Sequence, residues 1–231
     1  IHPLHIVQEA IDNAVDEALA GFGRKITVTV RKDHSVEVDD EGRGIPVDMH
    51  PVEKKPAVEV AFSMLHAGGK FSRSGDGVYH ISGGLHGVGV SVSNALSKRC
   101  EVTVYKGSEK HFIAFEGGEL SQKLKSEKIK EKRSGTVVRL WPDPKYFDSP
   151  NIPLAELEHL VRSKAYLLPG LTMILEVEGK DAGRVIGKKG QTLTALQFIA
   201  NRVINRPGRG RRHVIIDAEG YRARREDTLS S

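Results

Sequence analysis

Between Ser82 and Leu96 the chain reads Ser-Gly-Gly-Leu-His-Gly-Val-Gly-Val-Ser-Val-Ser-Asn-Ala-Leu, so four glycines within seven residues run into a segment free of Gly and Pro. Glycine lets backbone approach a ligand closely and tolerates positive φ. A glycine loop that opens a helix also aims unpaired N–H groups and the positive end of the dipole at one point, an arrangement suited to a polyphosphate. A surface loop ahead of a helix would read the same way on its own. Neither G-x-x-x-x-G-K-[ST] nor G-x-G-x-x-G occurs anywhere in the sequence. A nucleotide bound here therefore calls for a fold other than a P-loop or a dinucleotide-binding domain.

Other stretches narrow the choice. Pro3 to Ala20 predicts a helix with an apolar stripe at Leu4, Val7, Ile11 and Ala14. Glu9, Asn13 and Glu17 recur every four residues on another face, without a basic partner among them. A carboxylate and an amide one turn apart can orient a water or hold a metal ion, although that spacing is common. Lys25–Val30 and Ser35–Asp39 alternate as two strands around a turn at Asp33-His34. Asp39-Asp40-Glu41-Gly42-Arg43-Gly44-Ile45-Pro46 then forms an acidic, glycine-punctuated loop. It reads either as a tight turn or as a site where Asp40 accepts a hydrogen bond from a base amine and the glycines leave room for a flat ring. Ala57–Ala67 predicts a second helix, and the Gly- and Ser-rich stretch 68–79 a mobile lid carrying Lys70. Strands are expected at Glu101–Tyr105, His111–Phe115 and Val137–Trp141, with Lys123–Arg133 as a solvated connection, and a helix at Leu154–Leu168.

In this order, E-x-x-x-N, D-x-G-x-G, a lid ending in G-G-L-H-G-V-G and a late G-T form the motif set of the ATPase superfamily shared by gyrase, the Hsp90 chaperone, histidine kinases and MutL. The strings EAIDNAVDEALAG, DDEGRGIPVDMHP, LHAGGKF, SGGLHGVGVSVSNALS and SGTVVRLWPDPKYF closely resemble the B subunits of bacterial type II topoisomerases, and WPDPKYFDSP looks more like the topoisomerase IV version. The resemblance covers residues 1 to about 173. It implies a two-layer α/β (α+β) sandwich with helices on one face of a mixed sheet. It also implies ATP and Mg²⁺ as cofactors. Glu9 would be the general base acting on water, and Asn13 the Mg²⁺ ligand. Asp40 and Thr136 would read the adenine; Gly42 and Gly44 would let it lie flat, with Ile45 and Pro46 as its wall. Arg43 would pair with Glu17 at the pocket mouth. Gly84, Leu85, His86, Gly87, Val88 and Gly89 would wrap the triphosphate, and Lys70 would add charge. In the full enzyme such a subunit works with an A-type subunit on DNA. This sequence departs from the family in three ways: the arm that closes the partner's site does not precede the first helix, no second domain supplying a lysine to the γ-phosphate follows, and Phe112 stands where gyrase B subunits usually carry Arg. A monomer with slow turnover is the expectation.

The end of the chain has a different character. Residues 1–177 hold 23 Lys and Arg against 24 Asp and Glu, whereas residues 178–231 hold 12 against 6. Such asymmetry points to a nucleic-acid-facing tail on a neutral body. Met173–Val177 reads as a strand, and Ile186-Gly187-Lys188-Lys189-Gly190 follows as an I-G-x-x-G loop, the backbone clamp of KH domains. A helix at Thr192–Asn205, with Leu193, Leu196, Ile199, Ala200 and Val203 buried, a basic turn Arg206–Arg212 and a strand Val214–Asp217 complete it. The strings AGRVIGKKGQTLTALQFIANRVINR and VIIDAEGYRARREDTL resemble the KH domain of the Jag family of RNA-binding proteins, over roughly residues 174–231. The resemblance implies a small α/β domain contacting single-stranded RNA through Gly187, Lys188, Lys189 and Gly190. The simplest account of the join is an exchange of two similar strands near Leu171–Leu175. A single cysteine, Cys100, excludes an internal disulfide and fits a cytoplasmic protein, and no apolar run spans a membrane.

Overall fold

The computed structural model describes residues 3–64, 89–179, 183, 186–204 and 213–221. Its first element, α1 (Leu4–Leu19), buries Ile6, Val7, Ala10, Ile11, Ala14, Val15 and Ala18. That stripe is broader than a single line of i, i+3, i+4 positions because a helix lying on a sheet turns a wide arc of its surface inward. Two strands follow, β1 (Lys25–Val30) and β2 (Val36–Asp40), paired antiparallel from Val30↔Val36 to Ile26↔Asp40. Next come α2 (Ala57–Ser63), α3 (Gly89–Ala95), β3 (Ser97–Glu116), β4 (Glu119–Pro142), α4 (Leu154–Ala165), β5 (Thr172–Val177), a 3₁₀ turn at Lys188–Gly190, α5 (Gln191–Ile204) and β6 (His213–Ala218).

The strands make one mixed sheet in the order β3-β4-β2-β1-β5-β6, antiparallel except for the parallel pairs β1–β5 and β5–β6. One sheet face is apolar: Ile26, Val28, Val36, Val38, Val102, Val104, Leu140, Met173 and Leu175 share a single cluster with Ile11, Phe62, Leu157 and Leu193 from the helices. The other face carries ion pairs, Arg31 with Glu37 (2.6 Å) and Glu178 (3.0 Å), and Arg139 with Asp33 (2.8 Å). A sheet with one dry and one charged face must be covered by helices on one side only, which is the expected two-layer sandwich. The boundary expected between residues 173 and 174 falls inside β5. That strand pairs with β1 on one edge and with β6 on the other, so sheet and core continue from the first part of the chain into the last.

Two local expectations are corrected. Lys123–Arg133 is not a loose connection: it belongs to β4, where Lys125–Lys128 and Arg133 pair with β3 on either side of a register shift between Gly107 and Glu109, with further shifts around Ala114 and between Ser97 and Arg99. Its charged residues show no apolar alternation because this stretch of β4 is mostly exposed, and backbone pairing with β3 holds it. On α5, Leu193 and Ala200 are buried but Ile199 is 48% exposed and Phe198 61%. The stretch 68–79 and the turn 206–212 lie outside the described residues. Among the described residues no helix is long and apolar enough to cross a membrane.

The edge strand β6 is held by more than its ladder. From α5, Gln197 accepts a hydrogen bond from the Ile216 N–H (2.9 Å) through Oε1 and donates to the Val214 carbonyl through Nε2. Gln197→Ala strands two backbone groups, and the expected loss is about 1–3 kcal/mol. Urea unfolding should show a lower midpoint with an unchanged slope; an unchanged midpoint would mean that the amide adds nothing to the edge.

Candidate functional site

At the C-terminal end of β2, residues alternate across the sheet. Asp39 faces the charged side, where it pairs with Arg133, and Asp40 faces the helices at 8% exposure. Asp40 Oδ1 accepts two backbone hydrogen bonds, from Gly42 N–H (2.7 Å) and from Thr136 N–H (3.3 Å). Thr136 also accepts the Ile45 N–H through its hydroxyl (3.2 Å), tying the loop after β2 to β4. The approach of β4 is very close: a Cβ on Gly135 would sit 1.9 Å from the Asp40 carbonyl oxygen, so no other residue fits there. Gly44 has φ +78°, a conformation that favours glycine. A Cβ on Gly42 would press on Asp40 Oδ1 and the Glu17 side chain. Ile45 and Pro46 are half-buried beside this carboxylate loop.

Burial raises the Asp40 pKa from 3.8 to about 6, and the Gly42 and Thr136 N–H groups oppose part of that rise. Ionising this carboxyl in the folded state costs on the order of 3 kcal/mol relative to the unfolded chain.

The polar face of α1 borders the same region. Glu17 receives Arg43 in a forked pair, Nε at 3.1 Å and Nη2 at 2.8 Å, and also accepts the Arg43 N–H at 3.0 Å. The guanidinium lies 3.9 Å over the Phe22 ring. Two turns earlier, Glu9 meets the start of α3: a Cβ on Gly89 would fall 1.8 Å from Glu9 Oε2. The last glycine of the 83–89 run and the first carboxylate of α1 are therefore in contact, which sequence spacing alone does not reveal. Desolvation, and then the Asp12 charge, raise the Glu9 pKa; Lys164, ion-paired with Asp12 at 2.5 Å, and His5 oppose the shift. Asn13 is half-buried one turn beyond Glu9.

Two anchors escape sequence reasoning. The buried side of α3 is polar, made of Ser91, Ser93 and Asn94, and Asn94 donates to the carbonyls of Phe62 (3.0 Å) and Gly118 (3.1 Å). This amide fixes α3, and with it Gly89, against α2 and the β3–β4 turn. Lys106 on β3 reaches the Gly44 carbonyl (3.3 Å), and desolvation lowers its pKa. Lys70, Gly84, Leu85, His86, Gly87 and Val88 lie outside the described residues. At the other end of the chain Gly187 (φ +67°) and Gly190 (φ +78°) flank an exposed Lys188, while the Lys189 side chain is outside the description.

Residues 1–145 match the family described as histidine kinase-, DNA gyrase B-, and HSP90-like ATPase. The chain belongs to that family. Within it, the B subunit of DNA topoisomerase 4 from Salmonella typhimurium is 51% identical over 177 residues and its Escherichia coli counterpart 50%, each alignment covering 76% of this chain and 28% of the relative. The B subunit of DNA gyrase from Thermotoga maritima is 50% identical over 173 residues, or 74% of this chain and 26% of the relative. This ATPase-family chain thus spans under a third of the length of these relatives. Among solved structures, the topoisomerase IV ATP-binding domain of Francisella tularensis, in complex with a small-molecule inhibitor, is 39% identical and superposes with a TM-score of 0.65, over 76% of this chain and 82% of that one. Residues 169–216 match a second model, the KhpA/KhpB KH domain.

The environment of Asp40 in this ATPase-family fold has a consequence for stability. A carboxyl titrating near 3.8 when unfolded and near 6 when folded binds more protons in the folded state between those values. Stability therefore falls as pH rises from about 4 to about 6 and levels off above. Asp40→Asn keeps an acceptor for Gly42 and Thr136 but cannot ionise, so the ligand-free variant should be more stable than wild type at pH 7–8 and equal to it near pH 4. Denaturation curves of the two proteins running parallel from pH 4 to 7 would contradict the shift.

Proposed function

We propose that residues 1 to about 173 bind Mg-ATP and hydrolyse it as the ATPase unit of a bacterial type II DNA topoisomerase, where the cycle drives strand passage with an A-type subunit and DNA. The observation that carries this reading is Asp40: both hydrogen bonds it accepts fall on Oδ1, which leaves Oδ2 to accept from an adenine amine. The loop at Gly42 and Gly44 has no side chain to block a flat ring, and Ile45 and Pro46 supply its apolar wall. Thr136 holds the loop's far end, and the Glu17–Arg43 fork holds the mouth in shape.

Glu9 would take the proton from the attacking water; its raised pKa brings it nearer the working pH, which favours a general base. Gly89 brings the end of the glycine loop onto that carboxylate, so residues 84–89 would wrap the triphosphate beside the base, with Lys70 adding charge. Among the described residues no group of three or more His, Cys, Asp or Glu side chains could hold a metal ion. Asn13, half-buried one turn beyond Glu9, would offer a single amide oxygen to a Mg²⁺ held chiefly by the phosphates, where the ion would neutralise phosphate charge. A cytoplasmic setting suits the one free, buried thiol, Cys100.

Titration calorimetry with Mg²⁺ and a non-hydrolysable ATP analogue tests the reading. Asp40→Asn turns one acceptor into a donor facing the adenine amine and should weaken binding about 10- to 100-fold. Glu9→Gln should bind normally and release no phosphate. Equal affinity of wild type and Asp40→Asn would remove the adenine assignment.

A second activity is favoured by the KH-model match over 169–216 together with the exposed Lys188 between two positive-φ glycines. The loop Gly187-Lys188-Lys189-Gly190 would contact the backbone of single-stranded RNA. Lys188→Asp with Lys189→Asp should abolish gel-shift binding at physiological salt and spare ATP binding; retained RNA binding would refute the clamp.

A further inference from the structure

The stretch of β4 that sequence suggests is a connection concentrates the positive charge of the body. Lys123–Arg133 holds six Lys and Arg against two Glu, while the rest of residues 1–177 holds 17 against 22. The ladder breaks here: between the pairs Gly107↔Arg133 and Glu109↔Lys128, the single residue Ser108 of β3 faces Ile129, Lys130, Glu131 and Lys132 of β4. Extra residues on one strand re-aim the side chains of a bulge, and this one carries two lysines with Lys128 at its foot. All three are exposed and, among the described residues, none is ion-paired with an acid; nor is Lys123, while Lys125 adds its charge to the field on Glu127. The neighbouring acids are mostly engaged elsewhere: Glu127 pairs with Lys110 (2.9 Å), Asp39 with Arg133 and Glu41 with Lys25 (4.0 Å), which leaves Glu131 as the opposing charge of the bulge.

Beside the bulge, on the helix-free face of the sheet, a cavity of about 520 Å³ is lined by Lys25 and Arg133, by the acids Glu41 and Asp39 that pair with them, and by Lys132, Thr27 and Ser134, so Lys132 is its one basic side chain without an acid against it among the described residues. Lys132 thus belongs to both the bulge and the groove. Thr27 and Ser134 add hydroxyl donors, and Arg133 is braced by stacking 4.1 Å over Tyr105. Unpaired, exposed lysines at the rim of a polar groove with hydroxyl donors match a polyanion of regular charge spacing. They do not suit an apolar ligand or a cation.

We propose that the β4 bulge and this groove form a contact site for the phosphodiester backbone of duplex DNA, distinct from both the nucleotide site and the KH loop. The choice of duplex over other polyanions rests on the topoisomerase reading above. Asp39 and Asp40 lie on opposite faces of β2, so the groove backs directly onto the candidate adenine site. Ser134 lines the groove and Thr136, two residues on, donates to Asp40.

The test uses the full chain carrying Lys188→Asp and Lys189→Asp, so that the KH loop does not contribute, and compares it with the same chain bearing Lys128→Ala, Lys130→Ala and Lys132→Ala. Fluorescence anisotropy with a 30-base-pair duplex, from about 50 to 200 mM salt, should show affinity reduced on the order of 10- to 100-fold and the slope of log K against log salt reduced by about 2–3. Binding of the ATP analogue should be unchanged, and this separates the inference from the reading it rests on: lost nucleotide binding in the parent chain counts against the ATPase reading alone. An unchanged duplex affinity and slope overturns the site. So does a loss confined to single-stranded RNA with duplex binding intact.

Discussion

The contact between the end of β2 and the start of the core part of β4 sets the geometry on which the candidate nucleotide site depends. Gly135 lies against the Asp40 carbonyl so closely that a methyl group would overlap it, and the next residue, Thr136, donates its N–H to Asp40 and accepts from Ile45. One glycine thus lets two strands close at Asp40, and that closeness buries and orients its carboxyl; burial raises the pKa while the Thr136 N–H holds back part of the rise. Such a carboxyl is held at a cost. The fold tolerates it because the surrounding elements are over-determined: the β2–β4 ladder from Val36↔Leu140 to Asp39↔Val137 on one side and the Glu17–Arg43 fork on the other.

The second organising element is β5. A strand with a partner on each edge and buried Met173, Leu175 and Val177 can be shared by two sequence-defined units without an interface between them. The first family match ends at residue 145 and the KH match begins at 169, so α4 lies between the two and β5 opens the second. Parallel pairing asks only for alternating buried residues in register, and both the first unit and the last provide such a strand. Leu193 and Ala200 of α5 enter the same apolar cluster as α1 and the central strands. The C-terminal quarter therefore extends the core of the ATPase fold while keeping its own basic character.

Much of this is legible in sequence, for identifiable reasons. α1, β1 and β2 carry apolar residues at periods of 3.6 and 2, and their observed bounds lie within a residue of expectation. Family resemblance pairs Glu17 with Arg43, and the structure joins them by three hydrogen bonds. The middle of β4 is not legible, because Lys and Glu fill most of its positions, and a half-buried Leu124 together with the backbone ladder on either side of the bulge makes it a strand. Nor is the inner side of α3, where Ser91, Ser93 and Asn94 turn inward: a periodic pattern marks hydrophobic burial and is blind to an amide satisfied by two carbonyls. Ile199 misleads for the opposite reason, since an apolar residue on a helix is not obliged to be buried.

Asp40 and Glu9 are both carboxyls whose pKa burial pushes up, yet the surroundings treat them differently. Asp40 is enclosed on the sheet side by two N–H donors that fix one oxygen, so its remaining freedom is a single acceptor direction, which suits recognition of one donor. Glu9 lies half-buried against a glycine backbone, with Asp12 and its partner Lys164 behind it. The charges around it offset one another, Asp12 raising its pKa and Lys164 with His5 lowering it, a balance that would suit the proposed role of general base. A polyphosphate entering between them would desolvate Glu9 further while the adenine amine stabilises ionised Asp40, so one ligand would drive the two pKa values apart. Separation of that kind would let two carboxylates on one fold take the two roles proposed for them, Asp40 as reader and Glu9 as base.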